Sequence, residues 1–155
     1  MLWAYYDWES GDDDPTDGNR NTFFQYYPLD HKYLGFMDLV GRQNISDANF
    51  LAITHPTEKI KFLTWWHVFN LQQPEDALYN VGGAAIYRDA TGASGGWIGH
   101  ELDLAVVYTP RPLVNLTVGY SHLWAGSFFD SPTIQAQGAT GTDADFVYTQ
   151  ASMRF

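Results

Sequence analysis

The connections between the strand-like segments of this chain alternate regularly in length. Long polar stretches cover residues 10–44, 71–96 and 125–142, whereas short turns lie near Pro56 and Pro110. Compact soluble domains rarely carry three such loops, because unstructured loops beyond about 12–15 residues are uncommon in them. Short turns on one side and long loops on the other are typical of a transmembrane β-barrel.

Six segments show the period-two alternation of a β-strand, in which successive side chains face opposite sides of a sheet. They are residues 2–9, 50–54, 59–70, 101–109, 114–121 and 145–155. The last segment ends on the aromatic residue Phe155, as the closing strands of outer-membrane barrels often do. The pattern predicts an all-β fold, a partial antiparallel transmembrane β-barrel with long extracellular loops and short periplasmic turns.

The number of strands predicts that the barrel continues beyond this segment. Single-chain membrane barrels begin at about eight strands, and an open strand edge in lipid costs several kcal/mol for each unpaired backbone group. The first residues, Met1–Tyr6, also lack the features of a secretory signal. We therefore expect residues 1–155 to be the C-terminal part of a barrel that missing N-terminal strands or a partner chain complete. The other interpretation is a truncated remnant without activity of its own.

Composition excludes several function classes. The net charge of -10 argues against nucleic-acid binding, which needs a basic surface to displace counterions from phosphates. No apolar run approaches the roughly 20 residues of a transmembrane helix. The absence of cysteine excludes disulfides and thiolate metal sites. Aromatic residues make up 17% of the chain, which fits the aromatic girdles of a membrane barrel.

The segment Asp30-His31-Lys32-Tyr33-Leu34-Gly35-Phe36-Met37-Asp38, with its continuation to Asn44, resembles the alginate export family of outer-membrane channels. Similar pieces follow in the same order at Pro56–Lys59, Asp76–Tyr79, Gly99–Asp103 and Arg154–Phe155. The resemblance implies a barrel of more than six strands in the outer membrane of a Gram-negative bacterium. It also implies contact with membrane lipid, and export or passive diffusion of an anionic polysaccharide such as alginate, or of other small polar solutes.

Charged residues of the first long loop and of the predicted interior face are candidates for lining or constricting a pore. They are His31, Lys32, Asp38, Arg42, Lys61, His67, Glu101, Asp103 and Arg154. Opposite charges across a lumen either orient a charged solute or neutralise one another. The apolar residues 34–37 either fold back into the barrel as a plug or constriction, or form part of an extracellular cap.

An acidic run in the first loop is a candidate calcium site. Asp12, Asp14 and Asp17 offer the hard oxygen ligands that Ca²⁺ prefers. The alternative is an ordinary solvated loop. We predict no other cofactor.

Catalysis is not expected. The sequence lacks a nucleophile elbow, a His-Glu-x-x-His motif and a phosphate-binding glycine loop. Ser121 and His122 are adjacent in a predicted strand, so their side chains point to opposite faces.

A soluble alternative remains open at this point. A β-sandwich that binds carbohydrate would use exposed tryptophans as stacking platforms. The candidates are Trp65, Trp66, Trp97 and Trp124. This interpretation explains the aromatic residues but not the three long loops.

Overall fold

Six long strands pair into one antiparallel sheet in the computed structural model, which describes residues 1–155 apart from the side chain of residue 30. The order in the sheet is β1-β2-β3-β6-β7-β8, and a hairpin of β4 and β5 forms a second sheet. The strands are β1 Leu2–Glu9, β2 Ile45–Thr57, β3 Ile60–Leu71, β4 Ala77–Tyr79, β5 Ala85–Arg88, β6 Trp97–Arg111, β7 Val114–Ala125 and β8 Ala144–Met153.

Helical structure is confined to the connections. Short 3-10 turns lie at Asp30–Lys32 and Ser127–Asp130, and helix α1 at Pro132–Gln135. None of the helices formed by the described residues has the length and apolar character needed to span a membrane.

The predicted all-β, antiparallel architecture is confirmed. Each strand of the large sheet pairs with its neighbour along the chain, apart from the β4–β5 excursion between β3 and β6. Among the described residues the sheet is not closed, because β1 and β8 each have only one partner. A sandwich would need a second large sheet packed on the first, and the second sheet here has only two strands.

The two faces of the large sheet differ sharply in character. We call one the inner face; it carries Tyr5 of β1, Asn49 of β2, His67 of β3, Glu101 of β6 and Leu123 of β7, which the register aligns across the sheet. Ser121 of β7 lies on the same face, opposite Asp103 of β6. The opposite, outer face is apolar. Its exposed side chains include Phe50, Phe62, Leu104, Val106, Tyr108, Leu116, Val118, Val147 and Met153.

The strand bounds differ from the prediction at β2. This strand begins at Ile45 instead of Phe50, because Asp47 and Asn49 face the inner side, where they are buried. When the inner side of a sheet is itself polar, a strand carries polar residues at alternate positions, and its sequence is easily mistaken for that of a loop.

The two short turns also lie slightly later than predicted. Pro56 belongs to β2 and Pro110 to β6, and each falls within a register shift, between Thr54 and Thr57 and between Tyr108 and Arg111. Proline has no N–H to donate to a ladder, so a bulge can accommodate it within a strand.

The hydrophobic core lies at the long-loop end of the sheet. Side chains of the loops pack there on the ends of the strands, with Phe69 of β3 and Ile98 of β6 fully buried. The other buried members of this cluster are Leu34, Val40, Ile45, Leu71, Leu78, Phe128, Ile134 and Ala139. The long connections are therefore folded structures, each held by its own apolar residues.

A hydrogen-bonded turn follows the β4–β5 hairpin. One carboxylate oxygen of Asp89 accepts from the Thr91 hydroxyl at 2.6 Å, and the other accepts from the Ser94 hydroxyl at 2.6 Å. The backbone N–H groups of Thr91 and Ser94 donate to the same carboxylate. These bonds, led by that from Ser94, lower the pKa of Asp89 from 3.8 to about 2.

The hydrogen bonds to Asp89 should stabilise this turn only at pH values at which the Asp89 carboxylate is ionised. Because its folded pKa is depressed, the stabilisation is complete above pH 3.8 and is lost as the pH falls toward about 2. Hydrogen exchange of residues 89–94, corrected for intrinsic rates, should show protection falling across this window. Asp89→Asn should be less protected at neutral pH and lack this pH dependence. An identical pH profile in both proteins would contradict the assignment.

Candidate functional site

The apolar segment of the first long loop lies against the inner face. We call residues 34–37 the inner loop. The backbone N–H of Phe36 donates to Oδ2 of Asp103 at 3.2 Å, and that of Met37 donates to Oε1 of Glu101 at 3.1 Å. Two carboxylates of β6 thus hold the backbone of a loop that comes from a distant part of the chain.

Gly35 allows this close approach. Its φ of +86° lies in the left-handed region that favours glycine. A Cβ atom at this position would also lie 2.5 Å from Oε1 of Glu101. The loop can therefore approach β6 only with a residue that has no side chain here.

Aromatic rings fix the inner loop from two sides. The Phe36 ring makes edge contacts with Trp65, at a centroid distance of 5.9 Å, and with Tyr148, at 6.2 Å. Tyr148 occupies space left by Gly119 on the neighbouring strand, where an added Cβ would lie 2.1 Å from the tyrosine ring. His31 stacks on the other side of Phe36 at 5.2 Å.

A buried polar cluster lies beneath the inner loop. Nδ1 of His67 is 2.6 Å from Oδ2 of Asp47, and both side chains are fully buried. Nε2 of His67 lies 3.7 Å from Oδ2 of Asp103, too far for a hydrogen bond. The Ser121 hydroxyl donates to the other oxygen of Asp103. Strands β2, β3, β6 and β7 each contribute one member of this cluster.

Asn49 links the buried polar cluster to the indole ring of Trp65. Its amide donates to Asp47 at 2.8 Å, and its carbonyl oxygen accepts from the indole N–H of Trp65 at 2.9 Å. Most polar groups of the cluster therefore satisfy one another, as buried polar groups require, and Nε2 of His67 is the buried atom of the cluster that makes no hydrogen bond among the described residues.

The other predicted pore residues form separate pairs. His31 lies 3.0 Å from Asp38 within the first long loop. Arg42 lies 3.5 Å from Asp7 and 3.4 Å from Glu9 on β1. The structure thus places a cation from the loop against carboxylates of the inner face.

Three predicted positions lie outside these pairs. The ammonium group of Lys32 lies 5.2 Å from the Tyr33 ring. Lys61 is half-buried near the short-turn end of β3, and Arg154 is exposed after β8. Lys61 and Arg154 therefore do not join the cluster around His67.

The three aspartates of the candidate calcium site have individual partners. Asp14 accepts from the Thr16 hydroxyl at 2.6 Å, which lowers its pKa, and Asp17 accepts from the Asn19 amide. The backbone N–H of Asp12 donates to Asp76. Within the described part of the chain, no group of three His, Cys, Asp or Glu side chains is arranged to hold a metal ion. Calcium binding stays a prediction.

Sequence reasoning missed Asp47 and Asn49, and it gave Ser121 no role. Asp47 and Asn49 follow Asn44 in a segment whose polar residues are typical of a turn. Only their spacing of two residues indicates a strand. The sequence relates Ser121 only to its neighbour His122. The structure places Ser121 against Asp103 and His122 against Asp145, on opposite faces of β7.

Aromatic rings also gather on the outer face, near the long-loop end. The ring of Trp124 lies 5.4 Å from Trp66, 5.3 Å from His100 and 4.2 Å from His122. Trp97 contacts His100 at 5.7 Å. Of the four tryptophans considered as sugar platforms, only Trp65 therefore faces the inner side.

A sequence model of the family described as alginate export matches residues 1–143 of the 155. The chain belongs to the alginate export family. The matched range contains the inner loop, the buried cluster and strands β1–β7, and it ends just before β8. It confirms the resemblance seen in the sequence.

Neither a comparison with curated proteins nor one with solved structures gave a match. Alginate export proteins form a family of transport proteins in the outer membrane of Gram-negative bacteria, and membership indicates export of polysaccharide. The inner face and the inner loop are therefore the candidate transport site of this chain.

Proposed function

We propose that the chain forms part of an outer-membrane channel whose outer face contacts lipid and whose inner face lines the passage. The passage would carry polysaccharide or small polar solutes, by export or by passive diffusion. No residue would perform covalent chemistry.

This proposal rests on one observation: polar and apolar side chains are distributed differently between the two faces of the large sheet. The inner face buries His67, Glu101 and Asp103, with exposed fractions of 1% or less. On the outer face, Val118 is 57% exposed and Leu104 is 39% exposed. A soluble protein avoids exposing such a broad apolar surface, because each Å² left in water costs about 25 cal/mol. In a bilayer the same surface is stable.

The aromatic rings of the outer face support the same placement. Trp66 and Trp124 lie with His100 at the long-loop end, where an outer-membrane barrel meets its outer interface. Indole rings combine an apolar body with a polar N–H, and they are enriched at the headgroup level. This level would mark the extracellular boundary of the lipid-facing band.

The open edges support a larger assembly. Strands β1 and β8 each present one unpaired side, and an unpaired edge is not stable in lipid. We propose that further strands of a longer chain, or a partner chain, pair with these edges and close the barrel.

Two neighbouring positions in β7 test the orientation. Val118 faces outward and Thr117 inward, so Val118→Arg places a charge in lipid while Thr117→Arg places the same charge in the passage. We expect Val118→Arg to lower the free energy of unfolding by about 2–4 kcal/mol, the cost of arginine near a bilayer midplane. Thr117→Arg should cost clearly less.

The measurement is denaturant unfolding of the protein in lipid vesicles, with tryptophan fluorescence as the signal. A neutral effect of Val118→Arg would indicate that its side chain contacts water. This result, together with a monomer that stays soluble without detergent, would overturn the proposal.

A further inference from the structure

A cavity of about 600 Å³ lies between the inner loop and strands β1, β2 and β3. Its walls are largely aromatic. Trp3 and Tyr5 of β1 meet edge to face at 5.8 Å. Phe36 and Trp65 meet in the same way at 5.9 Å, and Tyr33 also lines the cavity. The volume is in the range of sites that bind small molecules, about 300–1,000 Å³.

The two cations that line this cavity differ in their partners. Arg42 lies 3.5 Å from Asp7, which also lines the cavity, and 3.4 Å from Glu9, which lies outside it. Carboxylates of β1 therefore compensate the charge of Arg42. Lys32 has no carboxylate within ion-pair distance among the described residues, and its ammonium group instead lies 5.2 Å from the Tyr33 ring. Lys32 thus offers one positive charge to a ligand.

Three further polar side chains of the cavity have partners of their own. The amide of Asn49 donates to Asp47, and its carbonyl oxygen accepts from the indole N–H of Trp65. Nδ1 of His31 lies 3.0 Å from Asp38. Hydroxyl groups brought into this cavity would lose their hydrogen bonds to water and find few free partners, which is unfavourable. The cavity therefore favours a ligand with an apolar body and one anionic group.

We propose that this cavity binds an aromatic carboxylate, a planar ring that carries a single anionic group. The ring packs against the aromatic walls, because pairs of rings attract one another at centroid distances of about 4.5–7 Å. The carboxylate accepts a charge-assisted hydrogen bond from the ammonium group of Lys32. The proposal rests on the proposed function, in which the inner face lines a passage, and it names aromatic anions as one class of solute that the passage holds.

Isothermal titration of the full protein in detergent micelles tests this assignment with three ligands of similar size. Cinnamate has the ring and the charge, cinnamamide keeps the ring without the charge, and glucuronate carries the charge on a hydroxyl-rich ring. A titration into protein-free micelles is subtracted from each. At low ionic strength we expect saturable binding of cinnamate, with cinnamamide and glucuronate each about tenfold weaker or undetectable. A tenfold difference corresponds to about 1.4 kcal/mol.

A matched pair of lysine variants locates the charge of the ligand. Lys32→Met removes the cation at the cavity, whereas Lys61→Met removes one from β3 outside the cavity. Lys32→Met should weaken cinnamate binding about tenfold, to the level of cinnamamide, because only cinnamate uses this charge. Lys61→Met should leave cinnamate binding unchanged, and Lys32→Arg, which keeps the charge, should retain most of it.

Matched tryptophan variants locate the ring of the ligand. Trp3 and Trp8 belong to the same strand, but Trp3 lines the cavity and Trp8 lies on the opposite side of the sheet. Trp3→Ala should weaken cinnamate binding about three- to tenfold, the range expected for loss of one aromatic contact. Trp8→Ala should leave it unchanged, and Trp3→Phe, which keeps a ring, should restore most of it.

Three results would overturn the proposal: no saturable binding of cinnamate, binding of cinnamamide or glucuronate as tight as that of cinnamate, or equal effects of Lys32→Met and Lys61→Met. The stability test at Val118 needs no ligand. If Val118→Arg is strongly destabilising while cinnamate fails to bind, the ligand assignment fails and the membrane placement stands. If cinnamate binds while Val118→Arg is neutral, the binding site stands and the membrane placement is wrong.

Discussion

In the closed barrel proposed above, Gly35→Ala is expected to displace the inner loop from the sheet and to raise single-channel conductance in planar bilayers by roughly twofold or more, because a wider passage conducts more ions. The added Cβ would lie 2.5 Å from Oε1 of Glu101. Glu101 is only 1% exposed, so its carboxylate has little room to turn aside, and we expect the loop to move away and the bonds from Phe36 and Met37 to β6 to break. The φ of +86° adds strain for any residue with a side chain.

Gly18→Ala is the matched control. Gly18 has almost the same backbone angle, φ +82°, but an added Cβ there would meet no atom within 4 Å. Both variants therefore carry the same backbone strain, and only one carries the clash. Trypsin cleavage after Lys32 and Arg42 gives a second readout, since a displaced loop should be cut faster. Equal conductance and equal cleavage in the two variants would show that residues 34–37 do not restrict the passage.

Asp47→Leu is expected to lower the free energy of unfolding by about 3–5 kcal/mol, the cost of removing one partner from a buried charge-assisted contact. Asp47 accepts from His67 at 2.6 Å, from Asn49 at 2.8 Å and from the backbone N–H of Val68 at 3.2 Å. Leucine accepts none of these bonds, and the three donors remain in a region without water.

Two companion variants make the result specific. Asp47→Asn keeps one acceptor oxygen and should lose clearly less stability than Asp47→Leu. Asp13→Leu replaces an exposed carboxylate of the first loop and should change stability by no more than about 0.5 kcal/mol. Urea unfolding in lipid vesicles, followed by tryptophan fluorescence, gives the comparison. An effect of Asp47→Leu as small as that of Asp13→Leu would mean that His67 finds another partner.

The faces of the strands could be predicted from sequence because period-two alternation is a property of the backbone. In β8, Val147 and Thr149 alternate with Tyr148 and Gln150, and the register places the two sets on opposite faces. The interior position expected for Glu101 and Asp103 agrees with their burial. Trp65 and Trp66 show the limit of this method, since adjacent aromatic residues give no sign of which one faces inward.

The contacts of the site could not be predicted, because they join residues far apart in the chain. The pair of Asp47 and His67 depends on the β2–β3 register, which aligns Asp47 with Phe69 and Asn49 with His67. The approach of Gly35 to Glu101 spans more than sixty residues. No local pattern encodes such distances. The apolar character of residues 34–37 indicated burial, but not the strand that would cover them.

The position of the hydrophobic core also implies an order of assembly. In the membrane placement proposed above, the long loops, with their acidic run, have to cross the bilayer before they reach the outside. Leu34, Phe128 and Ile134 can meet Phe69 and Ile98 only after that crossing. The strands would thus have to find their register while the core residues are still apart. In the proposed placement the core would form last and would oppose withdrawal of the inserted strands.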